Sequence, residues 1–89
     1  MKEIKHVERV VKGFANHHRI AILQLLERKP ELSVGEIADK LDANLKTISE
    51  HTRRLTAAGL VLKRYDVHSV RHKISNRGKQ VLKFLRILE

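Results

Sequence analysis

The segment 33–59 constrains the fold more than any other part of the chain, because it reads as two helices joined by a tight turn. Ser33 and Glu36 have the S-x-x-E spacing of a capping box, which marks the start of a short helix. Asn44 is a favourable N-cap for a second, longer helix, and Gly59 suits the left-handed conformation that commonly ends one. Because the longer helix also carries basic residues, the segment predicts a helix-turn-helix.

The rest of the chain predicts three further helices and a β-hairpin. Apolar residues recur at helical spacing on both sides of the helix-turn-helix, whereas residues 60–75 combine apolar and basic side chains around a turn at 66–69. The order α-α-α-α-β-β-α is mainly α with a small β-hairpin, and it predicts a winged helix-turn-helix that forms one domain over residues 1–89. Besides the short helix before the turn at 42–43, the predicted helices lie at 3–14, 17–28, 44–58 and 76–88.

Basic residues are concentrated in the second half of the chain. The net charge is +9, with 19 Lys and Arg against 10 Asp and Glu. Residues 1–43 hold eight basic and seven acidic residues, a balance of +1, whereas residues 44–89 hold eleven and three, a balance of +8. The excess begins where the longer helix begins, which favours a surface that faces a polyanion over a uniformly solvated one. Double-stranded DNA is therefore the expected partner.

The longer helix has an apolar stripe and a polar face on opposite sides. At about 100° per residue, Ile48, Thr52 and Leu55 fall together and are expected to face the core. Glu50 is unusual on a surface expected to approach phosphates, where a carboxylate is repelled unless it accepts a hydrogen bond from cytosine or holds an arginine three or four residues later. A solvated amphipathic helix with ordinary ion pairs is the alternative interpretation. The candidate DNA contacts on this helix are Lys46, Thr47, Ser49, Glu50, Arg53 and Arg54.

The hairpin is expected to form a wing beside that helix. Strand alternation places Val70, His72 and Ile74 on one face and Arg71 and Lys73 on the other. Basic side chains on such a hairpin can straddle the DNA backbone or enter the minor groove. The candidate DNA contacts on the wing are Lys63, Arg64, His68, Arg71 and Lys73.

The first and last predicted helices carry more apolar surface than a small core needs. A chain of this length buries only about 60% of its unfolded surface and is marginally stable alone. Pairing of these helices in a homodimer would hide the excess, and the alternative is that each helix simply lies on the core. The candidate interface residues are Ile4, Val7, Val11, Phe14, Val81, Phe84, Leu85 and Leu88.

Four short motifs along the chain have counterparts in one protein family. They are residues 19–23 (RIAIL), 31–34 (ELSV), 48–51 (ISEH) and 58–61 (AGLV). With these motifs, residues 14–88 resemble the ArsR-type winged-helix transcription regulators. The resemblance implies a homodimeric prokaryotic repressor that binds DNA.

The sequence departs from that family at its metal sites. Sensors of arsenic and cadmium carry cysteines at the third helix, where this chain has Ser33 and Gly35, and the chain has no cysteine at all. Zinc sensors use Asp and His pairs on the last helix, but residues 76–89 contain neither. No cofactor and no family metal site are therefore expected. Thr52 stands where the family has leucine, so a hydroxyl enters the predicted core and needs a partner.

Six histidines keep a metal-responsive regulator with a different site as an alternative. His17 and His18 are adjacent, so on a helix they are expected to point about 100° apart and not to share one ion. His68 and His72 are expected to share a strand face, but the sequence offers no carboxylate partner for them on that face. Capping, packing at the edge of the core and phosphate contact are the preferred roles.

Catalysis is not expected from this sequence. It lacks cysteine and a glycine-rich phosphate loop, and Ser49 and His51, two residues apart on one helix, cannot meet. A protein–protein adaptor on the same fold is the alternative to a DNA-binding regulator, because a fold does not fix a function. The sequence shows no signal peptide and no membrane span, so a cytoplasmic location is expected.

Overall fold

The computed structural model describes residues 3–89, so the first two residues of the predicted domain lie outside the described residues. The predicted element order and the mainly α fold with one antiparallel hairpin are confirmed. The predicted helix bounds hold to within one residue at each end. The elements are α1 (Ile4–Phe14), α2 (His17–Arg28), α3 (Val34–Lys40), α4 (Leu45–Ala57), β1 (Val61–Tyr65), β2 (Val70–Ile74) and α5 (Asn76–Leu88).

Four of the helices begin at a polar side chain that caps the first turn. Asn16, Ser33, Asn44 and Ser75 each accept a hydrogen bond from a backbone N–H of the helix that follows. At Ser33 the capping box is complete, because Glu36 accepts the N–H of Ser33 in return at 2.9 Å. These bonds satisfy donors that a helix cannot satisfy internally, which explains why the helices start where the sequence predicted.

The central helix of the fold is α2, which packs against α4, α5 and β2. Its buried residues are Ile22, Leu23, Leu25 and Leu26, which spread around the helix because neighbours cover it on several sides. Other elements close the core around this helix. The other buried apolar residues are Phe14, Leu32, Ile37, Ala38, Ile48, Leu55, Leu60, Val61, Ile74, Val81 and Leu82.

The hairpin is tied to the helices by a third, very short strand segment. Leu32, in the connection between α2 and α3, forms an isolated antiparallel bridge with His72 of β2. The His72 N–H donates to the Leu32 carbonyl at 2.8 Å, and the Glu31 N–H donates to the His72 carbonyl at 2.8 Å. The hairpin therefore has a fixed position relative to the helix-turn-helix.

Two residues expected at a dimer interface lie instead in the core of this chain. Phe14 and Val81 are 7% and 8% exposed and belong to the main apolar cluster. Helical spacing identifies the covered side of a helix but not the surface that covers it, which is why the sequence could not separate the two cases. Val7 and Leu85 are half-buried. The exposed apolar residues of α1 and α5 are Ile4, Val11, Phe84, Ile87 and Leu88, of which Ile87 was not predicted.

Candidate nucleic-acid interface

The turn between α3 and α4 presents α4 at the surface. Asp42 adopts a positive φ of 49°, a conformation that aspartate tolerates better than most residues. The Ala43 N–H donates to the Ala38 carbonyl at 3.0 Å, which closes the turn at its predicted position. Asn44 then caps α4 by accepting the Thr47 N–H at 3.1 Å.

The two faces of α4 separate as the helical spacing predicts. Ile48, Thr52 and Leu55 are buried, and Thr47 lies half-buried at the edge. The remaining candidate contacts share one exposed surface, so the helix offers hydroxyl, carboxylate and cationic groups to solvent. They are Lys46, Ser49, Glu50, Arg53 and Arg54.

Glu50 forms a clamp on both arginines of that surface. Arg53 binds it through two nitrogens, with Nη2 at 2.7 Å from Oε1 and Nε at 3.2 Å from Oε2. Arg54 Nε lies 3.1 Å from the same Oε1. The hydrogen bonds from Arg53 and then Arg54 lower the pKa of Glu50, so the carboxylate is ionised when the clamp is closed. An incoming anion would therefore compete with Glu50 for these two guanidinium groups.

Two of the five wing candidates are already engaged within the chain. Arg64 Nε lies 2.8 Å from the carboxylate of Glu31. Arg71 donates to the Glu31 carbonyl at 3.2 Å and lies 3.5 Å from the carboxylates of both Glu36 and Asp66. Arg64 and Arg71 face each other across the strands, so these acidic partners offset the repulsion between them. Their contacts with Glu31 and Glu36 hold the wing against the α2–α3 connection and the start of α3, whereas the contact with Asp66 lies within the hairpin.

The other three wing candidates remain exposed. Lys63, His68 and Lys73 make no side-chain hydrogen bond or ion pair within residues 3–89. Lys63 pairs in register with His72, and Lys73 pairs with Leu62, so the two lysines lie on opposite faces of the hairpin. The wing thus carries positive charge on both faces.

His72 is the buried polar anchor of the wing. Its side chain is 1% exposed, and Nδ1 lies 2.9 Å from the Leu32 carbonyl oxygen. Because a carbonyl can only accept, Nδ1 carries the proton and donates. Burial lowers the pKa of His72 and outweighs the opposing effect of this hydrogen bond. The histidine is therefore held neutral, and it has no exposed surface for a DNA contact.

Thr52 is a polar residue on the buried face of α4. It is 1% exposed, and its Oγ1 has no hydrogen-bond partner among the residues that the structure describes. The hydroxyl of Thr56 uses the Thr52 backbone carbonyl at 2.9 Å but leaves Oγ1 unpaired. The partner that the sequence required is therefore absent within residues 3–89.

Three histidine rings lie close together at the N-terminal end of α2. The rings of His17 and His18 lie 4.2 Å apart, and His18 stacks on His51 of α4 at 5.2 Å. Rotation about the side-chain bonds brings adjacent rings together even though their Cβ atoms diverge. Arg19 Nε donates to His51 Nδ1 at 3.0 Å. Burial, followed by the charge of Arg19, lowers the pKa of His51.

These rings do not form a metal site in the described part of the chain. Within residues 3–89, no group of three or more His, Cys, Asp or Glu residues is arranged to hold a metal ion. The stacked histidines instead link α2 to α4.

A family model described as a helix-turn-helix domain matches residues 14–64, more than half of the chain. The chain belongs to this helix-turn-helix family. The matched segment runs from the end of α1 to β1 and includes the whole α3–α4 unit that the structure presents at the surface.

Among helix-turn-helix relatives, the transcriptional activator HlyU of Vibrio cholerae is 34% identical over 67 residues. The match covers 75% of this chain and 61% of HlyU, so the chain spans less than two thirds of the length of that curated relative. A solved structure of HlyU is 31% identical, with a TM-score of 0.81 over 98% of this chain and 95% of that chain.

A second solved relative is a homodimeric winged helix-turn-helix DNA-binding domain from Mycobacterium bovis, a possible ArsR-family transcriptional regulator. It is 29% identical, with a TM-score of 0.83 over 96% of this chain and 79% of that chain. The resemblance to ArsR-type winged-helix regulators is thereby confirmed. Transcription regulators are not a class of enzymes. No helix within residues 3–89 is long and apolar enough to cross a membrane.

Proposed function

We propose that this protein binds double-stranded DNA as a dimeric transcription regulator, with α4 in the major groove and the hairpin over the adjacent backbone. The observation that carries the proposal is the α4 surface, where Lys46, Arg53 and Arg54 are exposed opposite a fully buried apolar stripe. The concentration of the basic excess after residue 43 supports the same orientation.

On α4, each type of side chain has a proposed role. Arg53 and Arg54 leave Glu50 to contact guanine edges or phosphates, which guanidinium groups bind through two parallel hydrogen bonds. Lys46, beside the N-terminus of the helix, contacts a phosphate, because that end of a helix favours anions. Thr47 and Ser49 complete the set as hydrogen-bonding residues near the base edges.

The five wing candidates are proposed to have two kinds of role, according to whether each is already bonded within the chain. Lys63, His68 and Lys73 are proposed to contact the DNA backbone, since they are exposed and have no partner within residues 3–89. Arg64 and Arg71 are proposed to orient the hairpin through Glu31, Glu36 and Asp66. Arg64 and Arg71 are thus proposed to affect DNA binding indirectly, by fixing the position of the hairpin.

A second copy of this chain is the proposed occupant of the exposed apolar surface on α1 and α5. Ile87 and Ile4 are 74% and 72% exposed, and Phe84 is 50% exposed, which is unfavourable for so small a domain unless a partner covers them. The relative from Mycobacterium bovis is homodimeric. A two-fold dimer would place its two α4 helices about 34 Å apart, in successive major grooves.

Repression is the proposed outcome of binding, because a dimer seated on a promoter excludes other proteins from it. HlyU of Vibrio cholerae is by name an activator, so transcription of a reporter in vitro, with and without the protein, is the direct test. No metal is proposed to be needed, since Ser33 and Gly35 supply no thiolates. Calorimetric titration of zinc into chelator-treated protein should show no heat and no change in DNA affinity.

Fluorescence anisotropy with a labelled duplex tests the DNA-binding proposal. The affinity is expected to fall steeply as salt rises from about 50 to about 200 mM, with a slope that reports the number of phosphates neutralised. Sedimentation at micromolar concentration is expected to show a dimer. A flat salt response, or no binding at low salt, would instead favour a protein–protein adaptor, and a monomer would contradict the proposed α1 and α5 interface.

A further inference from the structure

A basic cleft lies between α1 and α4, next to the surface that is proposed to read DNA. Its volume is about 410 Å³, which is within the range of ligand-binding pockets. Three helices supply the cationic residues of its walls. They are Arg9 and Lys12 of α1, Arg19 of α2, and Arg53 and Arg54 of α4.

Small residues at the bottom of the cleft bring these cations together. Gly13, Ala57 and Ala58 line the cleft, and a Cβ atom at Gly13 would lie only 2.5 Å from the Cβ of Ala58. The two helices therefore cross at backbone distance, and long side chains on both of them reach over the same space. Such close cations repel one another unless an anion lies between them.

The anions within the chain do not balance this charge. Glu50 holds Arg53 and Arg54, and Glu8 lies 3.5 Å from Lys12. Two carboxylates thus serve three of the five cations, while Arg9 has no hydrogen bond or ion pair within residues 3–89.

Arg19 has a structural role at the edge of the cleft. It donates to the Lys12 carbonyl at 2.8 Å and to His51 at 3.0 Å, so it caps the end of α1 and is not available as a ligand. The arginines that remain for an external anion are Arg9 on one wall and the Glu50-bound pair on the other.

We propose that this cleft binds a phosphate group, with Arg9 as a ligand from α1 and with phosphate oxygens replacing the Glu50 carboxylate at Arg54, while Arg53, released from Glu50 at the same time, is free to contact a base edge. Guanidinium groups bind phosphate and carboxylate with the same paired geometry, so this exchange keeps their hydrogen bonds. The favoured source, which rests on the proposed function, is the backbone of the duplex beside the bases that α4 reads. A free phosphorylated molecule has the same chemistry and is the other source.

Arg9→Gln tests the cleft, and Arg28→Gln is the matched control. Arg28 is an exposed arginine in the last turn of α2, does not line the cleft, and makes no side-chain hydrogen bond or ion pair within residues 3–89. Binding to a mixed-sequence duplex of about 30 base pairs is measured from about 50 to about 200 mM salt. The salt slope should fall by about two for an Arg9→Gln dimer, so its binding should be weakened most at about 50 mM salt and less at about 200 mM, and the slope should stay unchanged for Arg28→Gln.

Titration with inorganic phosphate at constant ionic strength tests the other source. The arginine Nε–Hε signals of Arg53 and Arg54 in NMR spectra should shift and saturate in the wild type and in Arg28→Gln, but not in Arg9→Gln. Saturable shifts without a slope change would assign the cleft to a free phosphate, whereas a slope change specific to Arg9→Gln assigns it to DNA.

Two results would overturn the cleft site. One is equal salt slopes for the two variants together with no saturable phosphate shift. The other is an equal loss of slope in both variants without that shift, which would reduce the effect to general charge. If the wild type fails to bind any duplex, the proposed function fails, and the phosphate titration alone then decides whether the cleft is a site.

Discussion

Helix α4 and the wing each contain one fully buried polar side chain, and these two side chains differ in their hydrogen bonding. Thr52 on the buried face of α4 and His72 in strand β2 are equally buried, at 1% exposed. The Thr52 hydroxyl has no partner within residues 3–89, whereas the His72 ring donates to the Leu32 carbonyl. The helix is thus held by apolar packing despite its polar residue, and the wing is held partly through its polar residue.

Because of this difference, different changes should affect the attachment of α4 and that of the wing. A buried unpaired hydroxyl lowers the free energy of unfolding, because it has lost its hydrogen bonds to water without gaining others. Replacing it with an apolar group of similar shape should therefore strengthen the attachment of α4. A buried neutral histidine depends on its protonation state, so the attachment of the wing should weaken in acid.

The largest expected effect is on the wing anchor. His72→Ala should lower the free energy of unfolding by about 2–3 kcal/mol, because it leaves a cavity at a fully buried position and removes one hydrogen bond. Urea denaturation monitored by circular dichroism measures the change. His68→Ala, at the exposed tip of the same hairpin, is the control and should have no effect. A loss below about 0.5 kcal/mol for His72→Ala would mean that the ring is not an anchor.

The next largest effect is on DNA binding, where variants of the two elements should affect base preference and overall affinity differently. Arg53→Ala on α4 should cost about 1–3 kcal/mol at one base pair of each half-site and relax the preference there. Lys63→Ala on the wing should weaken binding to all sequences alike and reduce the salt slope. Selection of bound duplexes from a random pool measures both variants. If Arg53→Ala left the selected sequence unchanged, the assignment of the α4 face would be wrong.

A pH dependence should follow from the buried histidines. Burial lowers the pKa of His72 and, together with Arg19, that of His51. A lowered histidine pKa means that the unfolded chain binds a proton first, so stability is complete above about pH 6.5 and falls as the pH drops below it. The slope is at most about 1.4 kcal/mol per pH unit for each histidine.

Urea denaturation at about pH 7.5 and about pH 5.5 measures this loss, because the carboxylates titrate mostly at lower pH. His72→Gln should reduce the pH dependence to the part that His51 contributes, and His68→Gln, at the exposed tip of the hairpin, is the control. Equal stability of the wild type at both pH values would show that neither histidine is held neutral by the fold.

The smallest expected effect is a gain. Thr52→Val keeps the branched shape and removes the unpaired hydroxyl, so the free energy of unfolding should rise by about 1 kcal/mol. Thr56→Val is the matched control, since its hydroxyl is bonded to the Thr52 carbonyl at 2.9 Å and its removal should bring no gain. Thermal unfolding distinguishes them. Destabilisation by Thr52→Val would indicate that Oγ1 has a partner, such as a buried water.

Local features of both elements were predictable from the sequence. The caps at Ser33 and Asn44, the buried stripe of α4 and the grip of Glu50 on its arginines all depend on residues three or four apart. Such spacings fix neighbours on a helix before any tertiary structure exists. The left-handed φ of 76° at Gly59 was predictable for the same reason.

Long-range features were not predictable in this way. The bridge between Leu32 and His72 joins residues that are forty positions apart, and the ion pair between Arg64 and Glu31 joins residues that are thirty-three positions apart. Alternation in β2 could assign His72 to a face but could not identify the strand that would cover it. The same limit applies to Phe14, whose helical spacing is equally compatible with a core and with an interface.

Gly13 lets α1 cross α4 at close range, and this close crossing bears on the geometry of the proposed dimer. Because α1 touches α4 where a methyl group at position 13 would lie, the absence of that group sets the separation of the two helices. In the proposed dimer, in which α1 forms part of the interface and α4 contacts DNA, this separation would contribute to the distance between the two α4 helices. We therefore expect a methyl group at position 13 to change the spacing of DNA half-sites that the dimer prefers.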